Sequence, residues 1–94
     1  MMTREEQAVA EFAGRILHSY FCGGDVEFLI STFAPDIVWL GSGEAMKAEG
    51  AQAVAEAFRA GKDHMIPCRM WDERYEVRPL GPGCWVCEAV SWLE

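Results

Sequence analysis

The clearest alternation of apolar and polar positions lies near the end of the chain. From Trp71 to Arg78, Trp71, Glu73, Tyr75 and Val77 fall on one side and Asp72, Arg74, Glu76 and Arg78 on the other. A period of two over that many residues predicts a half-buried strand. Gly81-Pro82 supplies a turn, since Gly takes the positive φ of a II′ hairpin loop, and a second strand then returns toward Glu94. A loop of two residues, or of four from Leu80 to Gly83, pairs Val77 with Val86, Tyr75 with Glu88, Glu73 with Val90 and Trp71 with Trp92 on one face. The other face collects Asp72, Arg74, Glu76 and Arg78 with Cys87, Ala89, Ser91 and the bulky Trp85. A loop of odd length would slip this register by one.

Upstream, the period is helical. Thr3 and Glu6 fit a Thr-x-x-Glu capping box. Val9, Phe12, Ala13, Ile16, Leu17 and Tyr20 then make one apolar stripe, which Gly23-Gly24 ends. Asp25 caps a shorter helix with the stripe Val26, Leu29, Ile30 and Phe33, and Pro35 forbids its continuation. Ile37 to Leu40 reads as a short strand closed by Gly41-Ser42-Gly43, and Glu44 to Glu49 as a hairpin return or a loop. Gly50 opens a third helix with Ala53, Val54, Ala57 and Phe58 inward and Gly61 past its end. Asp63 to Met70 has no clear pattern, and Pro67 weakens a central strand there. Helices followed by an antiparallel hairpin predict one α+β domain over residues 1–94, its helices on one face of a curved sheet.

Composition narrows the function classes. Ninety-four residues with 51% hydrophobic and 24% charged side chains suit one small globular domain. A net charge of −7 argues against nucleic acid and against anionic membranes, both of which want a basic face. The N-terminal MTREEQAVAEF lacks the apolar core of a signal peptide, so the expected location is cytoplasmic and Cys22, Cys68, Cys84 and Cys87 are expected to be reduced.

The stretch FAPDIVWLGSG after two helices, the Gly50, Ala53, Val54, Phe58 pattern of EGAQAVAEAF, and the hairpin YEVRPLGPGCWVCEAVSW resemble a nuclear transport factor 2-like, or SnoaL-like, domain. The resemblance covers nearly the whole chain and implies a cone in which three helices and a concave sheet enclose a pocket. It implies a pocket wall of Tyr20, Trp39, Trp71, Tyr75 and Trp92, with Glu73 and Glu88 as polar anchors. Relatives of this shape include sensory modules of bacterial signalling proteins as well as free-standing isomerases, cyclases and dehydratases, and the fold does not choose between them. Family members continue with further long strands, whereas this chain stops at Glu94. The expectation is a fragment, or a domain whose last strand has a covered edge; an unpaired edge invites a second copy, hence a homodimer.

The candidate chemistry follows from the two carboxylates on the apolar face. Such groups need a partner or a wet cavity. Glu88 and Glu73 are therefore the candidate ligand anchors and, in an isomerase-like reading on an apolar ring compound, the candidate general bases. His18 lies off the apolar stripe and reads as solvated, and His64 falls in the patternless segment. Asp36 reads as a turn or cap residue. His64, Cys68, Cys84 and Cys87 superficially offer zinc ligands, but strand residues three apart point to opposite faces, so neither a metal nor a cofactor is expected. Gly23-Gly24-Asp25-Val26-Glu27-Phe28 resembles the diguanylate-cyclase signature with one residue inserted, a decoy in a chain far shorter than that domain. The preferred reading is a non-catalytic, dimeric, sensory or binding domain for a small apolar or aromatic ligand. A small enzyme is the alternative, and a purely structural dimerisation unit with a filled core the third reading.

Overall fold

The computed structural model describes residues 2–41 and 46–94. Helix α1 runs Arg4–Phe21, and its capping box forms in full: the Thr3 hydroxyl accepts from the Glu6 amide and the Glu6 carboxylate accepts from the Thr3 amide. Cys22 caps its end, and Gly24 turns the chain with a φ of 65°. Asp25 caps α2, Val26–Ser31, by accepting from the Phe28 amide at 3.0 Å. Strand β1, Val38–Leu40, pairs antiparallel with β2, Lys47–Glu49, so the described part of the ambiguous segment is a returning strand. Residues 42–45, including the expected Ser42-Gly43 closure, lie outside the described residues.

Gly50, at φ 89°, leads into α3, Ala51–Gly61, which tightens into a single 3-10 turn over Lys62–His64. Its inward stripe is Val54, Ala55 and Phe58 rather than Ala53, Val54, Ala57 and Phe58. Val54 is fully buried and Ala55 nearly so, while Ala53 and Ala57 are exposed. The helix is rotated by one position about Val54 because Phe58 turns toward Tyr20 and Trp39 (ring centroids 5.4 and 5.1 Å) and Glu27 of α2 grips Arg59 through two hydrogen bonds of 2.8 and 2.9 Å.

The closing hairpin is β3, Met70–Gly81, and β4, Cys84–Leu93. Near its open end Trp71 pairs with Trp92, as expected. The rest of the register differs. Tyr75 pairs with Ala89, Glu76 with Glu88, Val77 with Cys87 and Arg78 with Val86. Two irregularities account for the slip, one between Pro79 and Gly81 and one between Trp71 and Arg74. At the second sits Asp72, a non-glycine residue with φ 54°, the mark of a β-bulge in which one residue is surplus to the ladder.

The bulge sorts side chains onto faces that strict alternation misassigns. Tyr75 and Val77 share the inner, helix-facing side with Ala89 and Cys87, and Glu73 reaches α1 from the same side. Trp71, Arg74, Glu76 and Arg78 share the outer face with Val86, Glu88, Val90 and Trp92. The ladder continues past β4 through paired backbone bonds between Arg69 and Glu94.

The fold is thus a small α+β domain with three helices and two separate two-stranded antiparallel sheets in place of one continuous curved sheet. Among the described residues the buried apolar side chains are few: Val26, Val54 and Ala55 on the helices, Met70 and Val77 on β3. None of the 18 residues of α1 is fully buried, although it packs against α2 and both strands of the hairpin.

Candidate functional site

Helix α1 separates two hollows. On one side, Ile16, Leu17, Tyr20 and Phe21 face Leu29 of α2, Trp39 of β1 and Phe58 of α3 across an open cleft of about 330 Å³. Its wall is aromatic because Tyr20 and Trp39 both lean on Phe58, at 87° and 58° to its ring. The Tyr20 contact is edge-to-face and the Trp39 contact tilted, and aromatic pairs prefer such arrangements over a face-to-face sandwich. The Tyr20 hydroxyl has no hydrogen-bond partner among the described residues, and burial raises its pKa. On the other side of α1, Leu17, Phe21, Met70, Tyr75, Ala89 and Leu93 help to line a smaller hollow of about 170 Å³ under the hairpin.

Beside the smaller hollow, a chain of polar contacts crosses from β3 to α1. The Tyr75 hydroxyl donates to Glu73 Oε1 at 2.8 Å, and His18 Nε2 meets the same oxygen at 2.6 Å. A carboxylate oxygen only accepts, so His18 carries its proton on Nε2. In the neutral ring Nδ1 is then the acceptor, and Cys22 Sγ lies 3.8 Å from it. Tyr75 reaches this position because residue 14 is glycine: a Cβ there would stand 3.2 Å from the Tyr75 hydroxyl oxygen. The bond from Tyr75 and then that from His18 hold the Glu73 carboxyl below its usual range. Burial first and the Glu73 carboxylate second push Tyr75 up to about 12. A carboxylate so stabilised is a weakened base, better suited to holding an imidazole in one orientation than to removing a proton from carbon.

The residues expected to line one pocket are divided among three places. Tyr20 and Trp39 line the helical cleft. Tyr75 and Glu73 belong to the polar chain under the hairpin. Trp71, Glu88 and Trp92 stand on the exposed outer face, with Trp71 and Trp92 stacked at 5.8 Å and Glu88 opposite Glu76. Glu88 therefore does not share a face with Tyr75, because the register is one residue off from the expected one. The facing Glu76 and Glu88 repel each other, a cost softened by exposure and by the Arg78 contact to Glu76 at 3.4 Å.

His18 is exposed, as expected, yet it also meets Glu73, and Cys22 lies beside it. A second stripe carried the signal: Gly14, Leu17, His18, Phe21 and Cys22 recur at three- and four-residue spacing along the flank of α1 that meets β3. Among the described residues, no group of three or more His, Cys, Asp and Glu side chains is arranged to hold a metal ion, and no helix is long and apolar enough to cross a membrane. Neither a scan against protein-family models nor searches of curated proteins and of solved structures found a match to this chain.

Proposed function

We propose that the chain is a non-catalytic binding or sensory domain, of the kind attached to bacterial cytoplasmic signalling proteins, which takes a small apolar or aromatic molecule in the helical cleft and pairs with a second copy through its hairpin. The observation that carries this reading is the cleft itself. An open cleft of about 330 Å³, walled by Tyr20, Trp39 and Phe58 and offering the Tyr20 hydroxyl, which has no partner among the described residues, has the make-up of a small-molecule site: apolar walls with a few polar groups to fix orientation. The cone of a nuclear transport factor 2-like domain is the architecture this reading implies, with the two hairpins as parts of its wall. Catalysis by Glu73 or Glu88 is the weaker alternative, since one carboxylate is held by two partners and the other is exposed.

The neutral fluorophore N-phenyl-1-naphthylamine tests the site. Binding is expected to raise its emission and to quench tryptophan fluorescence, with the quenching lost in Trp39→Phe. Leu29→Trp, which fills the cleft from the α2 side, is expected to weaken binding at least tenfold while circular dichroism stays unchanged. Undiminished binding in a folded Leu29→Trp variant would remove the cleft as the site.

A further inference from the structure

We propose that Cys22 is a peroxide-reactive thiol, with His18 accepting its proton, Glu73 holding His18 in place, and Cys68 condensing with the oxidised sulfur. This goes beyond the binding function and does not depend on the cleft.

The arrangement is that of a nucleophile, a base and an orienting carboxylate. Cys22 Sγ faces His18 Nδ1 at 3.8 Å, and His18 Nε2 is fixed by Glu73 at 2.6 Å, with Tyr75 steadying the carboxylate from its other side at 2.8 Å. His18 and Cys22 are one turn apart on the same flank of α1, so the backbone sets their spacing. Position in the helix adds to this. His18 lies in the last turn of α1 and Cys22 is its C-cap, so one short stretch of backbone holds both side chains.

Each step balances. The Cys22 thiol passes its proton to His18 Nδ1, and the thiolate attacks the terminal oxygen of a hydroperoxide. A sulfur–oxygen bond forms as the oxygen–oxygen bond breaks; the departing oxyanion takes the proton from His18 and leaves as water or an alcohol. Sulfur is oxidised to a sulfenic acid and the peroxide is reduced. The net charge of −7 favours a small neutral oxidant of this class over an anionic disulfide.

Cys68 is placed to complete the sequence. Its amide donates to the Phe21 carbonyl at 2.8 Å, and standard backbone dimensions then keep the α-carbons of Cys22 and Cys68 within about 7 Å of each other. That bound touches the usual disulfide range of about 4.4–6.8 Å. The Cys68 thiol now donates to the Ile66 carbonyl at 3.2 Å, and residues 65–69 belong to no helix or strand, so its reorientation breaks no ladder. When Cys68 attacks the Cys22 sulfur, a disulfide forms, the sulfur–oxygen bond breaks, and hydroxide leaves with the Cys68 proton as water.

The test compares cysteines within one molecule. The intact chain is exposed to a small excess of hydrogen peroxide, and the remaining thiols are labelled and located by peptide mass spectrometry. Cys22 is expected to be consumed at least ten times faster than the exposed Cys84, with a Cys22–Cys68 crosslinked peptide as product. In Cys68→Ser, dimedone is expected to trap a sulfenic acid at Cys22. In His18→Asn, the Cys22 rate is expected to fall to that of Cys84 while the Cys84 rate stays as it was. Equal rates at Cys22 and Cys84 in the unaltered chain, a crosslink between a different pair, or a Cys22 rate indifferent to His18→Asn would each overturn the proposal.

Discussion

Glu73 shows how much a single side chain can be asked to do on so small a core. Its carboxylate accepts from two groups that come from different elements, and its pKa lies below the ordinary 4.5 as a result. In linkage terms the folded form binds this proton more weakly than the unfolded form. The stabilisation is therefore complete above about pH 4.5 and is lost as pH falls through the lowered folded value. Urea midpoints measured between about pH 3 and 6 should thus fall more steeply on the acid side for the unaltered chain than for Glu73→Gln. Tyr75 has the opposite sign. Its folded pKa is raised from 10.0 to about 12, so its contribution is whole below pH 10 and fades as pH climbs toward 12. A tyrosinate absorbance titration should show a late step near 12 that disappears in Tyr75→Phe.

At the scale of elements, α3 stands on two small side chains, Val54 and Ala55, with Phe58 turned into the cleft. Val54→Ala is expected to cost about 2 kcal/mol in urea unfolding, whereas Ala53→Ser and Ala57→Ser, on the exposed flank, should each stay within about 0.5 kcal/mol. The reverse ordering would restore the stripe expected from spacing alone. Local signals were legible in the sequence: the Thr3–Glu6 box, the Asp25 cap, and the glycines that end α1 each act within a few residues and formed as expected. What could not be read was long-range. The His18–Glu73 bond joins residues 55 apart, and the faces of β3 depend on a bulge at Asp72 that no local preference announces. Tyr20 and Trp39 line one open cleft, whereas strict alternation sends Trp71, Glu88 and Trp92 inward and the bulge leaves them on the outer face.

For the molecule as a whole, exposure is the dominant fact. Its accessible surface is 6998 Å², against about 5,400 Å² for a compact monomer of 10.5 kDa. The surplus of roughly 1,600 Å² per chain is of the size an obligate homodimer buries on each side. Much of the apolar part lies on the outer face of the closing hairpin, where Val90 is 68% and Trp92 61% exposed beside Trp71. Among the described strands, β4 pairs only with β3, so its far edge is also open. These observations support the proposed pairing with a second copy. Sedimentation equilibrium at micromolar concentrations is expected to give a dimer, and Val90→Lys combined with Trp92→Lys to give a folded monomer. A monomeric unaltered chain across the same range would show that the surface is not self-complementary.

The bulge at Asp72 also makes the length of β3 negotiable. The ladder passes over Asp72 and Glu73 between Trp71 and Arg74, and Met70 and Trp71 before Asp72, and Glu73 and Tyr75 after it, already occupy the faces they would hold if Asp72 were absent. A chain shortened by this one position could pair Glu73 with Ser91 and leave every flanking side chain where it is now. Elsewhere in the strand a one-residue deletion would turn one flank inside out. Asp72 is thus the place where gain or loss of a codon changes the bend of the hairpin without exchanging its two faces.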